Sequence, residues 1–243
     1  MMFGQEIERE IRKHAMREFP KESCGLITSY GYIPCRNKAE KPEDHFEISW
    51  EEISPHESNI LAYVHSHKWN SQGPGKSDMQ GQIQTRVPWG IILCSGEATK
   101  GPFYWGDMLD PPPLLNREFR HGPSGTDGRG DCYALIKDWY KINRGIIIPE
   151  FPRDDYWWKR PKEENDNLYM TGFKKAGFEQ VSGDPEIGDV ILMQDRDLAV
   201  VNHAGVYIGN NIVMHHREGK LSGRVLIEYL RGIRKMTVRR TWG

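Results

Sequence analysis

At 243 residues and 28.2 kDa the chain is long enough for two ordinary domains, each able to bury a core. A content of 37% hydrophobic and 28% charged residues describes a soluble protein, and a net charge of −1 excludes a general nucleic-acid binder, because no long basic field is left to meet phosphates. The first residues turn acidic at Glu6 without a signal-peptide core, and no later stretch is apolar enough to insert in a membrane, so folding in the cytoplasm is expected. Cys24, Cys35, Cys94 and Cys132 form no C-x-x-C pair, which excludes a disulfide framework and a thiolate zinc site and predicts reduced thiols.

Gln5 to Phe19 carries Ile7, Ile11, Ala15 and Met16 on one side at helical spacing, and Pro20 ends the helix. Lys21 to Thr28 reads as a strand, with Glu22 near its start, and Asp44 to Ser49 alternates like another. In the strand Tyr63 to His67, His65 and His67 lie two apart and so share a face. A loop through Gly73, Pro74 and Gly75 can fold back to bring in Asp78, giving two histidines and one carboxylate with a fourth position open, as catalytic zinc requires, and Glu22 would be the base. An H-x-H pair alone is weak, since surface or hydrogen-bonded core histidines also produce it. Trp89 to Cys94 is a short buried strand, which leaves Cys24 and Cys94 as core residues, while His45 and His56 have no partner at a useful spacing.

Glu22, the His65-Ser66-His67 pair and Asp78 resemble the JAMM (JAB/MPN) metalloprotease signature, a glutamate followed by H-x-H, seven residues, serine, two residues and aspartate. The resemblance implies an α/β sandwich, a zinc ion on His65, His67 and Asp78, and Glu22 in catalysis. Gly75 stands where the family serine belongs; that serine is thought to help hold the tetrahedral intermediate, so its loss leaves metal binding intact and turnover open. Ser77 lies two residues away and would need a shifted loop. The alternative is a fold kept for structure or docking.

Asp110 to Leu115, with three consecutive prolines, breaks helix and strand and should be extended, which divides the chain into domains 1–110 and 111–243. Pro123 to Gly130 is a loop leading to Asp131, a good cap for a helix in which Cys132, Leu135, Ile136, Trp139 and Tyr140 form one apolar face. Cys132 thus occupies the first turn, where main-chain N–H groups and the helix dipole favour a thiolate; otherwise it is a small buried hydrophobe. The aromatic run Tyr156-Trp157-Trp158 is either a substrate wall or a core anchor, Asp166 to Ala176 is helical, and Gly188 to Met193 turns into a strand. Asn202 to His215 is a β-hairpin. With a three-residue loop, Gly209 to Asn211, Gly205 faces His215 and His203 lies diagonally beside it on the same face; a two-residue loop would separate the histidines. The first register makes Cys132 a nucleophile, His203 its base and later acid, and His215 the group that orients His203. His216 has no assigned role, and the basic end with Arg224, Arg231, Arg234, Lys235, Arg239 and Arg240 reads as a solvated strand surface or a partner contact.

Asp131-Cys132, the Gly188-Asp189 turn, His203 to Asn210 and His215 resemble the NlpC-type cell-wall cysteine peptidases, a papain-like α+β family that cuts peptidoglycan stem peptides, usually between D-glutamate and diaminopimelate. Tyr133-Ala134 departs from the usual Ser-Gly after the cysteine, and Phe119 stands at the expected place of the family tyrosine that helps form the oxyanion site. The main-chain N–H of Cys132 would then carry more of that stabilisation. A JAMM-like domain joined to an NlpC-type domain is similar to the lambda-type tail assembly proteins of long-tailed phages. That resemblance implies a component of the tail tip and virion, made in the host cytoplasm and acting in the periplasm, with peptidoglycan and other tail tip proteins as partners. Three functions follow: a wall endopeptidase driven by Cys132, a zinc JAMM-type protease that matures tail proteins or docks the enzyme, and a silent assembly protein.

Overall fold

A computed structural model describes all residues except 1, 72, 107, 162–166, 231–232 and 242–243, with the main chain alone at 234. The fold is α+β. The chain divides into two compact units, the greater part of one lying before Pro111 and the greater part of the other from Pro111 onward.

The first unit is a five-stranded sheet with helix α1 (Gln5–Glu18) against it. Phe19, next to Pro20, is extended (ψ 134°), as the proline ring demands of its predecessor, and the helix stops one residue earlier than the spacing suggests. The strands are β1 (Cys24–Thr28), β2 (Gly31–Cys35), β3 (Ile60–Lys68), β4 (Trp89–Cys94) and β5 (Thr99–Trp105), in the order β2-β1-β3-β4-β5. A short helix α2 (Trp50–Ile53) precedes β3. Among the described residues of this sheet only the β3–β4 pair is parallel, and its crossover carries helix α3 (Lys76–Thr85). Both faces of the sheet are covered. Ile27, Val64 and Ile92 join Ile11 and Ala15 of α1 in one cluster, while the neighbouring Leu26 and Ile91 enter apolar clusters that include Phe46. Residues Asp44 to Ser49 are not a strand: β2 already occupies the edge beside β1, and the alternation arises because Phe46 and Ile48 pack onto the Cys24, Leu26 and Cys35 cluster.

The second unit is built on α4 (Cys132–Arg144), α5 (Leu168–Lys175) and the strands β6 (Phe178–Val181), β7 (Val190–Gln194), β8 (His203–Tyr207), β9 (Ile212–His215), β10 (Gly223–Leu226) and β11 (Arg234–Arg240). The sheet order is β10-β9-β8-β7-β11-β6 and every pairing is antiparallel. Helix α4 lies on β8 and β9 and ends at Gly145, whose φ of 65° suits a residue without a Cβ. Leu135, Ile136, Trp139 and Tyr140 meet Val190, Leu192, Ala204 and Val206 in the main core, each large side chain contributing roughly 1.5–3 kcal/mol by leaving water. Trp157 is a buried anchor against Tyr169, whereas Tyr156 points to solvent. The basic end is not simply solvated: β11 lies inside the sheet with Val238 buried, and Arg239 is paired with Asp189 and Glu186. Arg224 is exposed on β10, whereas Arg231, like Asp166 at the expected start of α5, lies outside the described residues, as does the side chain of Arg234.

Candidate active site and metal centre

The thiol site begins with the cap of α4. Asp131 accepts hydrogen bonds from the main chain of Ala134 (2.9 Å) and Gly122 (3.0 Å) and from Nε of Arg153 (2.7 Å). Burial works to raise its pKa, but the Arg153 guanidinium and these donors outweigh it and hold the carboxyl below the usual range. Arg153 is itself fully buried, bonded also to Glu150 at 2.6 Å, and its guanidinium lies over the rings of Tyr133 and Phe151.

Cys132 follows directly and is 5% exposed. Its sulfur is 2.8 Å from the hydroxyl of Tyr169 and takes the main-chain N–H of Ala204, the residue after His203. Burial first, and the charge of Asp131 second, push the thiol up to about 11 against these two donors. The helix start therefore does not ionise the sulfur at rest, contrary to what position alone suggests, because burial, with the capping carboxylate adding to it, outweighs the dipole.

The hairpin adopts the three-residue loop. Ile208 and Ile212 are hydrogen bonded at 2.9 Å around Gly209, Asn210 and Asn211, all with positive φ, and Gly205 pairs with His215. A Cβ on Gly205 would lie 2.9 Å from Cβ of His215 and 2.6 Å from Val213, so glycine is what lets β9 approach and the two imidazoles converge. Nε2 of His203 lies 2.9 Å from Nδ1 of His215. Burial lowers both pKa values, that of His203 well below its ordinary value and that of His215 to about 4; His215, Arg217 and His216 add to the effect at His203, and Arg217 and His216 at His215. Both rings are thus neutral at pH 7. Among the described residues the resting thiol is hydrogen bonded to Tyr169 rather than to His203.

Other residues singled out by the sequence fall around this core. Asp189 is buried and holds Arg239 through two bonds of 2.8 Å, a scaffold contact. Phe119 pairs with Gly130 and sets its ring edge-on to the buried His216 at 5.2 Å. Tyr169 and Arg153 were not legible as neighbours of Cys132, because each reaches it from a separate segment with no fixed spacing.

The second constellation lies on β3 and α3. Nε2 of His65 and Nε2 of His67 are 2.9 Å apart, and with a carboxylate oxygen of Asp78 these ligand atoms all lie within 4.8 Å of one another. Nδ1 of His67 is 2.9 Å from Oγ of Ser71, which fixes the ring and leaves Nε2 as the ligand atom. His65 stacks on Phe46 at 4.4 Å. Asp78 sits in the first turn of α3 and accepts the N–H of Gly75 at 2.7 Å. Glu22 is 8% exposed, its main chain is held by Pro42 and Asn37, and its carboxylate is 3.8 Å from Nε2 of His67. This donor set fits a divalent ion: opening the imidazole pair to the roughly 3.3 Å that ligands at about 2.0–2.1 Å around a tetrahedral ion require needs a shift of a few tenths of an ångström.

Comparison with known proteins gives two family matches. Residues 116–240 match the NlpC/P60 family and residues 4–105 match the prokaryotic homologs of the JAB domain. The chain is 31% identical over 221 residues to the tail tip assembly protein K of Escherichia phage N15, covering 88% of this chain and 86% of that protein. It is 32% identical over 169 residues to the tail tip assembly protein K of Escherichia phage lambda, covering 69% and 75%. Among solved structures, NlpC1 from Trichomonas vaginalis matches with 16% identity, 92% of this chain, 69% of that chain and a TM-score of 0.38.

Proposed function

The chain belongs to the NlpC/P60 family, joined to a JAB-like domain as in phage tail tip assembly proteins, and on that premise we propose that it is a peptidoglycan endopeptidase of the tail tip with Cys132 as nucleophile. The observation that carries this reading is the His203–His215 pair, with Nε2 of one 2.9 Å from Nδ1 of the other, directly before the Ala204 amide that meets the Cys132 sulfur. With Nε2–H of His203 donated to Nδ1 of His215, Nδ1 of His203 is left without a proton and can accept one from the thiol. As Sγ bonds to the scissile carbonyl carbon, its proton passes to His203 and the carbonyl electron pair moves to oxygen, where the N–H of Cys132 can meet it. The C–N bond then breaks and His203 returns the proton to the leaving amine. Water, with His203 again as base, hydrolyses the thioester and restores the thiol. The bond assigned is the family's usual one, D-glutamate to diaminopimelate.

For the N-terminal half the reading is a zinc site on His65, His67 and Asp78, supported by the convergence of their ligand atoms. Zinc, when bound there, supplies Lewis acidity to a peptide carbonyl and to water. In this reading Glu22 takes a proton, which the 3.8 Å between its carboxylate and Nε2 of His67 supports, and Ser71 keeps His67 oriented. The unit then acts as a peptidase on tail proteins or as the dock that holds the enzyme among other tail tip proteins. No helix among the described residues is long and apolar enough to cross a membrane. In this reading the likeness to phage tail tip assembly proteins supports carriage in the virion to the periplasm.

Digestion of purified Gram-negative peptidoglycan by the wild type and by Cys132→Ala, with mass analysis of the released muropeptides, tests the main reading. Cut stem peptides from the wild type alone support it. No cleavage by the wild type would sink it.

A further inference from the structure

Tyr169 is brought to the sulfur by α5, not by the elements that carry the cysteine and the histidines. Its side chain is 2% exposed and its hydroxyl lies 2.8 Å from Sγ of Cys132. The ring is held on several sides: Tyr133 stacks on it at 6.2 Å, Trp157 meets it edge-on at 5.4 Å, and Phe151 and Phe173 close the pocket. A phenol fixed in this way cannot swing to water, so its proton has the sulfur as its target. Burial, followed by the negative charges at Cys132 and Asp131, pushes the phenol's pKa upward, so it is a proton donor at neutral pH.

We infer that Tyr169 is a further catalytic residue of this site: its O–H donates to Sγ of Cys132 in the thiolate form and then to the carbonyl oxygen that takes over the negative charge. The inference rests on Cys132 being the nucleophile. During attack the charge moves from sulfur to an oxygen bonded to the same carbon. A donor already in contact with sulfur follows it by a small rotation and needs no recruitment from solvent. The donor itself gains and loses no proton, so the acid–base cycle of His203 is unchanged.

The test is Tyr169→Phe, which removes the hydroxyl and keeps the ring contacts, with a thermal melt matching wild type as the check on folding. The first readout is the rate of Cys132 alkylation by iodoacetamide at a fixed, mildly alkaline pH, with Cys132→Ala subtracting Cys24, Cys35 and Cys94. Losing one hydrogen bond to a charged group lowers the thiolate fraction and should slow alkylation by about 3- to 15-fold, part of the loss being offset by the greater nucleophilicity of the remaining thiolate. The second is stem-peptide cleavage, whose kcat should fall about 100-fold with KM little changed. Protein made with fluorinated tyrosine, whose phenols are stronger donors, should be alkylated faster, which keeps the inference testable if the Phe variant does not fold. An unchanged alkylation rate in either protein overturns the role of Tyr169, even if the wild type cuts peptidoglycan. A changed rate in a protein that cuts no stem peptide leaves the thiolate donor standing and removes the wall-hydrolase reading instead.

Discussion

Replacing Arg153 by methionine should be the most costly single change in the second unit. Arg153 is 0% exposed and joins two buried carboxylates, Asp131 at 2.7 Å and Glu150 at 2.6 Å. Methionine keeps much of the apolar stem against Tyr133 and Phe151 but leaves Asp131 with main-chain donors alone and Glu150 with Lys137 at 3.0 Å. Breaking a buried pair by deleting one partner costs about 3–5 kcal/mol, and since one guanidinium serves both acids the two losses do not simply add. A urea titration followed by the fluorescence of Trp139 and Trp157 reads this, with the transition of the first unit fitted separately. The pH dependence gives a sharper check. Against the opposing effect of burial, Arg153 helps to hold both carboxyls below their ordinary pKa values, so their contribution is present above the unfolded values near 4 and is lost as pH falls through the folded ones. In Arg153→Met those pKa values rise, and the gap from wild type should narrow as the medium is acidified from neutrality to about pH 4. A loss under about 1 kcal/mol, or a gap that does not change with pH, would refute the argument that this guanidinium compensates two buried charges.

His215→Ala should leave the fold intact and lower stem-peptide kcat by about 100- to 10,000-fold, because His203 loses the acceptor that sets its tautomer; unchanged kcat would remove the orienting role. The same histidines predict a pH effect on stability. His203 and His215 have folded pKa values below the ordinary 6.5, so the stability they carry is complete above about 6.5 and is lost as pH falls towards 4, and His215→Gln should flatten that slope in urea midpoints. In the first unit, His67→Ala should abolish zinc retention after dialysis, whereas Glu22→Gln should keep the metal and lose any peptidase turnover, as read by metal analysis and peptide cleavage. Gly75→Ser should fold and hold metal like wild type, since a Cβ there meets nothing closer than Asp78 Oδ2 at 3.6 Å, and should raise that turnover if the missing hydroxyl limits it.

What could be read from the chain were features set by local rules. The two-residue period of a strand puts His65 and His67 on one face, and the αL-tolerant Gly-Asn-Asn turn marks a hairpin, although the three-residue loop that pairs Gly205 with His215 was chosen between two registers by the structure alone. Pro20 and Asp131 bound their helices because the missing N–H of one and the acceptor oxygen of the other act within a single turn. Alternation misled at Asp44 to Ser49, where a segment covering a sheet shows the same one-sided pattern as a strand within it. The basic end misled because charge density says nothing about the neighbours on each side, and β11 runs between β6 and β7.

The sequence by itself determined the α+β class, the family resemblance of each half and the residue types able to do chemistry, since composition, period and short spacings act locally. Only the tertiary structure decided how those residues are tuned. The protonated state of the resting thiol follows from burial and from the Asp131 charge, itself compensated by an arginine that stands 22 positions away, a separation no periodicity encodes. The contact of Tyr169 with the sulfur, across 37 positions, likewise arises when α5 is packed against α4, because long-range distances are set by how the core closes and not by the order of residues along the chain.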